Sequence, residues 1–141
     1  MSVYESSIKT ISSSEEVVFN LLSDMNNLSV LQGIEGVDNK VKIIELEVEK
    51  CYIEIDKFGK VGLEIVGKTP NRLINYNFTQ LPMKMTAEIS LEGINNNQTN
   101  MQLKLIADIP FMLKAMLDSQ LEKGVNALAD MFEKTLNRNN K

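Results

Sequence analysis

The sequence predicts an α+β domain with a curved antiparallel sheet of about seven strands, two short N-terminal helices and one long C-terminal helix. Apolar and polar residues alternate from residue 40 to residue 109, which is the period of a strand with one buried face. An apolar stripe with a period of 3.6 residues then follows Pro110 without a break. Because a one-faced sheet and an amphipathic helix both bury an apolar surface, the long helix is expected to lie across the sheet.

The first predicted elements are a strand and a capped helix. Residues 3–11 alternate as a strand, with Tyr4, Ser6 and Ile8 expected on one face. Ser13 and Glu16 have the spacing of a capping box, in which the serine hydroxyl accepts a hydrogen bond from the amide of the glutamate. The helix that follows carries apolar residues at intervals of three and four from residue 17 to residue 25.

A second, shorter helix is expected before a glycine-containing turn at residues 33–36. Ser23 and Asp24 offer its N-terminal cap, and Leu28 and Leu31 offer its apolar face. This helix completes the part of the chain that precedes the alternating stretch.

The alternating stretch divides into strands at turn sequences. Residues 41–48 form the first of these strands, and the apolar phase then slips, which predicts a turn or bulge near Glu49 and Lys50. Further turns are expected at residues 56–59, 69–71 and 95–97. The inward positions predicted for the later strands are Val61, Leu63, Ile65, Ile74, Tyr76, Phe78, Met83, Met85, Ala87, Ile89, Leu91, Met101, Leu103, Leu105 and Ala107.

Residues 111–137 are predicted to form one amphipathic helix, about 40 Å long at about 1.5 Å per residue. Leu121 and Leu128 lie in the middle of its apolar stripe, whereas Lys114 and Lys134 lie on its polar side. Residues 1–137 are therefore expected to form a single domain, followed by a polar tail at residues 138–141.

This order of elements resembles the helix-grip fold of the START/SRPBCC superfamily, and the resemblance spans nearly the whole chain. Three segments are similar to a small bacterial SRPBCC subgroup whose biochemical role is not established: residues 4–9 (YESSIK), 22–28 (LSDMNNL) and 107–112 (ADIPFM). The resemblance implies one fold that serves transport, sensing, cyclisation and partner binding through a shared cavity architecture.

Composition excludes several kinds of function. The net charge of the 141 residues is −4, which does not favour nucleic acid as a partner. The chain has no histidine, so the usual catalytic triads and histidine-ligated zinc are excluded, and its one cysteine, Cys51, cannot form an intrachain disulfide. No stretch is long and apolar enough for an integral membrane segment, and a cytoplasmic location is expected. The sequence assigns no catalytic residue, metal ligand or cofactor, and it does not predict the oligomeric state.

The residues that suggest a binding site are methionines and aromatic residues on the inward faces. Adaptable thioether side chains suit a pocket for varied apolar ligands, although they also fill irregular cores. Tyr76 is expected to direct its hydroxyl inward, where it could orient a ligand or reach a backbone group. A pocket for a neutral or weakly anionic ligand is predicted between the sheet and the long helix, bordered by Leu63, Ile65, Tyr76, Phe78, Met85, Met101, Leu103, Met112 and Met116.

Three classes of function are compatible with this pattern. The first is the binding, transport or sensing of a small hydrophobic molecule such as a lipid or a polyketide-like compound. The second is an enzyme of the polyketide cyclase or dehydratase kind, for which the inward polar residues are Tyr76, Cys51 and Ser6. The third is a protein-interaction domain without a ligand, which an exposed apolar patch around Phe58, Phe111 and Met112 would indicate.

Overall fold

A computed structural model describes residues 1–27, 41–55 and 59–138. The elements are β1 (Ser2–Glu5), β2 (Lys9–Ile11), α1 (Glu15–Leu22), β3 (Val41–Leu46), β4 (Lys50–Ile55), β5 (Gly59–Thr69), β6 (Leu73–Thr79), β7 (Met85–Asn95), β8 (Gln98–Ala107) and α2 (Phe111–Arg138). The eight strands of the described residues form one antiparallel sheet in the order β1-β8-β7-β6-β5-β4-β3, and β2 also pairs with β8. This α+β architecture with a long C-terminal helix confirms the predicted fold class.

The first predicted strand is divided into β1 and β2, which brings the number of strands in the sheet to eight. Tyr4 pairs with Leu105 and Lys9 pairs with Met101, so five steps along the N-terminal segment match four steps along β8. One extra residue reverses the side to which the following side chains point. Tyr4 is therefore buried as expected, whereas Ile8, predicted on the same face, is 62% exposed.

Helix α1 begins one residue later than the predicted capping box. Ser14 is the N-cap, and its hydroxyl accepts a hydrogen bond from the amide of Val17 at 3.3 Å. Ser13 is buried, and its carbonyl accepts a hydrogen bond from the Thr99 hydroxyl at 2.8 Å. Because β8 binds Ser13 in this way, the next serine caps the helix.

After α1, residues 25–27 form a single 3₁₀ turn. Leu28 and Leu31, expected on a second helix, lie outside the described residues. The turn is attached to the β3–β4 hairpin, because the amide of Met25 donates to the carbonyl of Val48 at 2.9 Å. The end of α1 is thereby held against one end of the sheet.

The turn predicted near Glu49 and Lys50 is present. Strand β3 ends at Leu46, β4 begins at Lys50, and the amide of Glu47 donates to the carbonyl of Lys50 at 2.8 Å. A bulge that the pattern did not predict also shifts the register of β3 against β4 between Ile43 and Glu45. The bulge brings Leu46 opposite Cys51, so both face the same side of the sheet.

Helix α2 packs along one margin of the sheet, against β1, β2 and β8. A row of polar contacts fixes this position: the Tyr4 hydroxyl donates to Asp118, and Lys9 pairs with Asp130. Further along, the amides of Ser7 and Ser12 donate to the side chains of Asn126 and Asn137 at 3.0 and 2.7 Å. The helix therefore lies over the β1–β8 side of the sheet, away from β4 and β5.

The apolar stripe of α2 is graded in depth. Leu117, Val125, Ala129 and Leu136 are buried. Leu121 and Leu128, at the centre of the predicted stripe, are half-buried and pack against the core, while Lys114 and Lys134 are exposed as predicted. Leu121 and Leu128, expected to be buried at the middle of the stripe, are therefore less deeply buried than Val125 and Ala129 beside them.

Replacing Gly124 by alanine is expected to stabilise the fold by about 1 kcal/mol, because glycine is that much less favourable than alanine inside a helix. A Cβ at this position would meet no atom within 4 Å. Thermal or denaturant unfolding of the variant measures the gain. Gly62 is the matched control, since a Cβ there would collide with the Thr79 hydroxyl and lie 3.1 Å from the Tyr52 ring. Destabilisation by both substitutions would contradict the open surroundings of Gly124.

Candidate functional site

The inner face of the sheet carries both sealed and partly open apolar side chains. Ile89 of β7 and Met101 of β8 are buried, and so are Val61 of β5 and Ile74 of β6. On the neighbouring strands β4, β5 and β6, four apolar side chains of the same face remain half-buried. These residues, Ile53, Leu63, Ile65 and Phe78, define what we call the inner groove.

Strand register explains why these side chains form one surface. Leu63 pairs with Cys51 on one side and with Phe78 on the other, so the three share a row across the sheet. Ile65 pairs with Tyr76, which starts the next row. Because side chains alternate across a strand, Leu63 and Ile65 of β5 point to the same face. The alternation that predicted an inward face for these residues is therefore correct.

Tyr76 lies at the inner end of the groove and is buried. Its hydroxyl donates a hydrogen bond to the carbonyl of Leu22, at the end of α1, at 3.3 Å. Burial, and after it the nearby Cys51, raise the pKa of the Tyr76 hydroxyl well above its usual value. Of the two roles considered for this hydroxyl, the structure shows the contact with a backbone group.

Cys51 forms part of the floor beside Leu63 and is buried. Desolvation by burial raises the pKa of its thiol to about 11. Since the thiolate is the nucleophilic form, the group is neutral and weakly reactive near neutral pH.

The Cys51 thiol is expected to resist an aromatic disulfide reagent in the native protein at about pH 8 and to react fully in denaturant. Both its burial and its pKa of about 11 oppose reaction of the folded state. The absorbance of the released thiolate follows the reaction. Rapid stoichiometric modification of the native protein would contradict the placement of Cys51 in the floor of the groove.

The nine predicted lining residues occupy three different environments. Leu63, Ile65 and Phe78 lie in the groove with Tyr76 at its end. The structure does not bring the other five into this set. Met85, Met101 and Leu103 are buried in the core, whereas Met112 and Met116 are 90% and 60% exposed on the outer side of α2.

The inner groove also contains a residue that the predicted lining omitted. Ile53 alternates with Cys51 and belongs to the same face of β4. Its alternation was visible in the sequence, but its place in the groove depends on the pairing of β4 with β5. Leu81 and Met83, half-buried residues between β6 and β7, continue the apolar surface beyond Phe78.

A second, open cleft lies at the end of the β3–β4 hairpin, with a volume of about 680 Å³. Its walls are mostly polar, and it shares Ile65 with the groove. The carbonyl of Glu49 accepts a hydrogen bond from the amide of Ile65 at 2.7 Å, and the Glu49 carboxylate pairs with Lys68 at 3.1 Å. The cleft is lined by Asn26, Leu46, Glu47, Val48, Glu49, Lys50, Glu64 and Ile65.

In residues 1–27, 41–55 and 59–138, no three or more Cys, Asp or Glu side chains are arranged to hold a metal ion. Neither helix in that part of the chain is long and apolar enough to cross a membrane.

Comparison with solved structures finds the same fold at low sequence identity. Norcoclaurine synthase from Thalictrum flavum, a point mutant with a transition-state analogue, superimposes with a TM-score of 0.78 at 10% identity, covering 99% of this chain and 96% of that one. A START superfamily protein from Mycobacterium smegmatis gives a TM-score of 0.63 at 15% identity, covering 96% and 97%. The protein XoxI from Bacillus cereus gives 0.62 at 13%, covering 96% of each chain. No family model and no curated protein matches the sequence. These likenesses confirm the helix-grip fold expected from the START/SRPBCC resemblance.

Proposed function

We propose that this protein binds a small hydrophobic molecule, such as a lipid or a polyketide-like compound, in the inner groove and acts as its carrier or sensor. The observation that carries the proposal is the half-buried state of four inward apolar side chains, Ile53, Leu63, Ile65 and Phe78, beside a sealed core. A single-domain interior is ordinarily close-packed, so an apolar surface left partly open on the inner face is suited to a guest.

The energetic basis is the removal of apolar surface from water. Covering such surface is favourable by about 25 cal/mol for each Å² buried, before the cost of association is subtracted. The groove is formed by strands of one hydrogen-bonded sheet, so its shape exists before a ligand arrives. A preformed site avoids the cost of ordering the protein on binding.

The structural neighbours support a ligand site in this fold. One of the norcoclaurine synthase structures was solved with dopamine and hydroxybenzaldehyde, and another neighbour is a START superfamily protein. Because one fold can host unrelated functions, these likenesses support a small-molecule partner but do not identify it.

The geometry favours binding over cyclase-like catalysis. The Tyr76 hydroxyl is already engaged with the carbonyl of Leu22, and the Cys51 thiol is held in its neutral form by burial. Ser6, the third inward polar residue, binds the backbone of Leu103: its hydroxyl accepts from the amide at 3.0 Å. An acid or base must reach the proton it transfers, but the two hydroxyls already have hydrogen-bond partners and the thiol stays protonated.

We place the carrier in the cytoplasm, a compartment that a single free cysteine suits.

Titration with an uncharged, environment-sensitive dye tests the proposal. The expected result is saturable binding of about one dye per chain, reversed by an uncharged long-chain alcohol. Native mass spectrometry of the protein as isolated provides a second readout, through the mass of a retained apolar molecule. A folded protein that takes up no apolar probe and retains no guest would overturn the proposed function.

A further inference from the structure

The first two turns of α2 are apolar on their outer side as well as on their inner side. Phe111 and Met112 are 91% and 90% exposed, and Met116 is 60% exposed. Ala115 is exposed between them, and we call these four residues the helix-start patch. Leu113 and Leu117 occupy the inner side of the same turns. Apolar side chains clustered on the outer side of a helix whose inner side already packs on the core indicate a surface that is covered in use.

The patch lies at the end of the sheet toward which the inner groove extends. The amide of Asp108, just before α2, donates to the carbonyl of Lys84 at 2.9 Å, which joins the helix start to the β6–β7 connection. That connection carries Leu81 and Met83, the half-buried residues that continue the groove beyond Phe78. The exposed patch and the apolar groove therefore meet at one end of the molecule.

Charges near the patch are balanced. Lys84 and Lys114 lie beside it, and so do Asp108 and Asp118. Asp118 accepts the hydroxyl of Tyr4 and lies 3.6 Å from the Lys114 ammonium. The net charge of −4 therefore resides elsewhere on the chain, and the partner that suits this end is apolar and uncharged.

The size and shape of the patch indicate what the partner is. A stable protein–protein interface uses about 20–30 residues from each side, and four side chains are far fewer, which argues against a second copy of this chain. The patch is also the protruding start of a helix, whereas peptides are usually bound in grooves or along sheet edges. A short apolar helical face that enters the headgroup boundary is the mode by which proteins rest on a bilayer.

We infer that the helix-start patch docks this protein on the surface of a zwitterionic lipid bilayer, which has no net charge, with Phe111, Met112 and Met116 inserted at the headgroup boundary. Insertion is driven by burial of apolar area, so it depends little on salt. The patch remains a docking surface whatever the groove binds. Vesicle binding and dye binding can therefore fail independently, which separates this inference from the proposed function.

Flotation of the protein with phosphatidylcholine vesicles tests the inference. The wild type is expected to float with the vesicles in low and in high salt. The double substitution Phe111→Ser with Met112→Ser is expected to reduce the bound fraction by about tenfold or more, because it removes the inserted side chains. Ile8→Ser is the matched control, since Ile8 is 62% exposed at a site away from the patch, and this variant is expected to float like the wild type.

The inference would be overturned by wild type that stays in solution, by equal loss of binding in the patch and control variants, or by binding that high salt abolishes. A concentration-dependent dimer that the patch variant disrupts would also reject it, because a second copy of the chain would then be the partner. Circular dichroism of each variant confirms folding, and Met116→Gln provides a milder patch variant if the double substitution lowers stability.

Discussion

Truncation of Ile74 to alanine is expected to lower the free energy of unfolding by about 2–5 kcal/mol. Ile74 is fully buried on β6, where it pairs with Ile89 of β7 and lies in the main apolar cluster. The substitution loses the transfer free energy of the removed carbons and leaves a cavity that rigid strands on both sides cannot fill. Denaturant titration measures the change as a lower midpoint with an unchanged slope.

Leu128→Ala is the matched control for Ile74→Ala. Both positions are apolar and lie in the same core region, but Leu128 is half-buried at the side of α2. A smaller loss is therefore expected for Leu128, because fewer contacts disappear and the space can admit water. A loss below about 0.5 kcal/mol at Ile74, the size of a surface effect, would mean that β6 does not occupy the core.

Much of the fold was predictable because its strongest signals are local. Alternation assigns Leu63, Ile65, Tyr76 and Phe78 to one face whatever the strands pair with, and the structure confirms that face. The long stripe after Pro110 likewise predicts α2 without knowledge of its partner. Periodicity shows which side of a helix or strand is apolar, and a segment of about ten residues is enough to reveal it.

The details that differed depend on contacts between distant residues. The extra residue between Tyr4 and Lys9 is visible only against the register of β8, about 100 positions later. The cap of α1 is similar, since residues 12–14 are all serines and the choice among them depends on the bond from Thr99 to the Ser13 carbonyl. In both cases the two contacting segments are far apart in the sequence, so no local pattern of residues could predict the contact.

Contacts between distant residues also explain why the predicted lining residues of the pocket lie in different environments. Polar contacts from Tyr4 to Asp118 and from Lys9 to Asp130 hold α2 over β1, β2 and β8. Residues beneath that position, such as Met101, are sealed, whereas Leu63 on β5 stays half-open. The sequence indicates that Met101 and Leu63 both face inward. Which of them the helix covers depends on side-chain contacts between residues more than 100 positions apart.

Replacement of Leu63 by tryptophan is expected to weaken binding of the uncharged dye by at least about tenfold, or about 1.4 kcal/mol. Leu63 is half-buried at the centre of the inner groove, between Cys51 and Phe78, so an indole placed there occupies the volume that a guest would take. Met101 is unsuitable for this experiment because it is fully buried, and a larger side chain there would strain the core.

Val66→Trp provides the matched control for the groove-filling variant. It adds the same side chain to the same strand, but Val66 is 60% exposed. Dye titration of the three proteins is compared with their denaturant unfolding, so that a lost site is distinguished from a lost fold. If Leu63→Trp unfolds too readily, Phe78→Trp makes a smaller change in the same row of side chains. Wild-type affinity in a stable Leu63→Trp protein would show that the dye binds elsewhere, because an indole and a guest cannot occupy one apolar volume together.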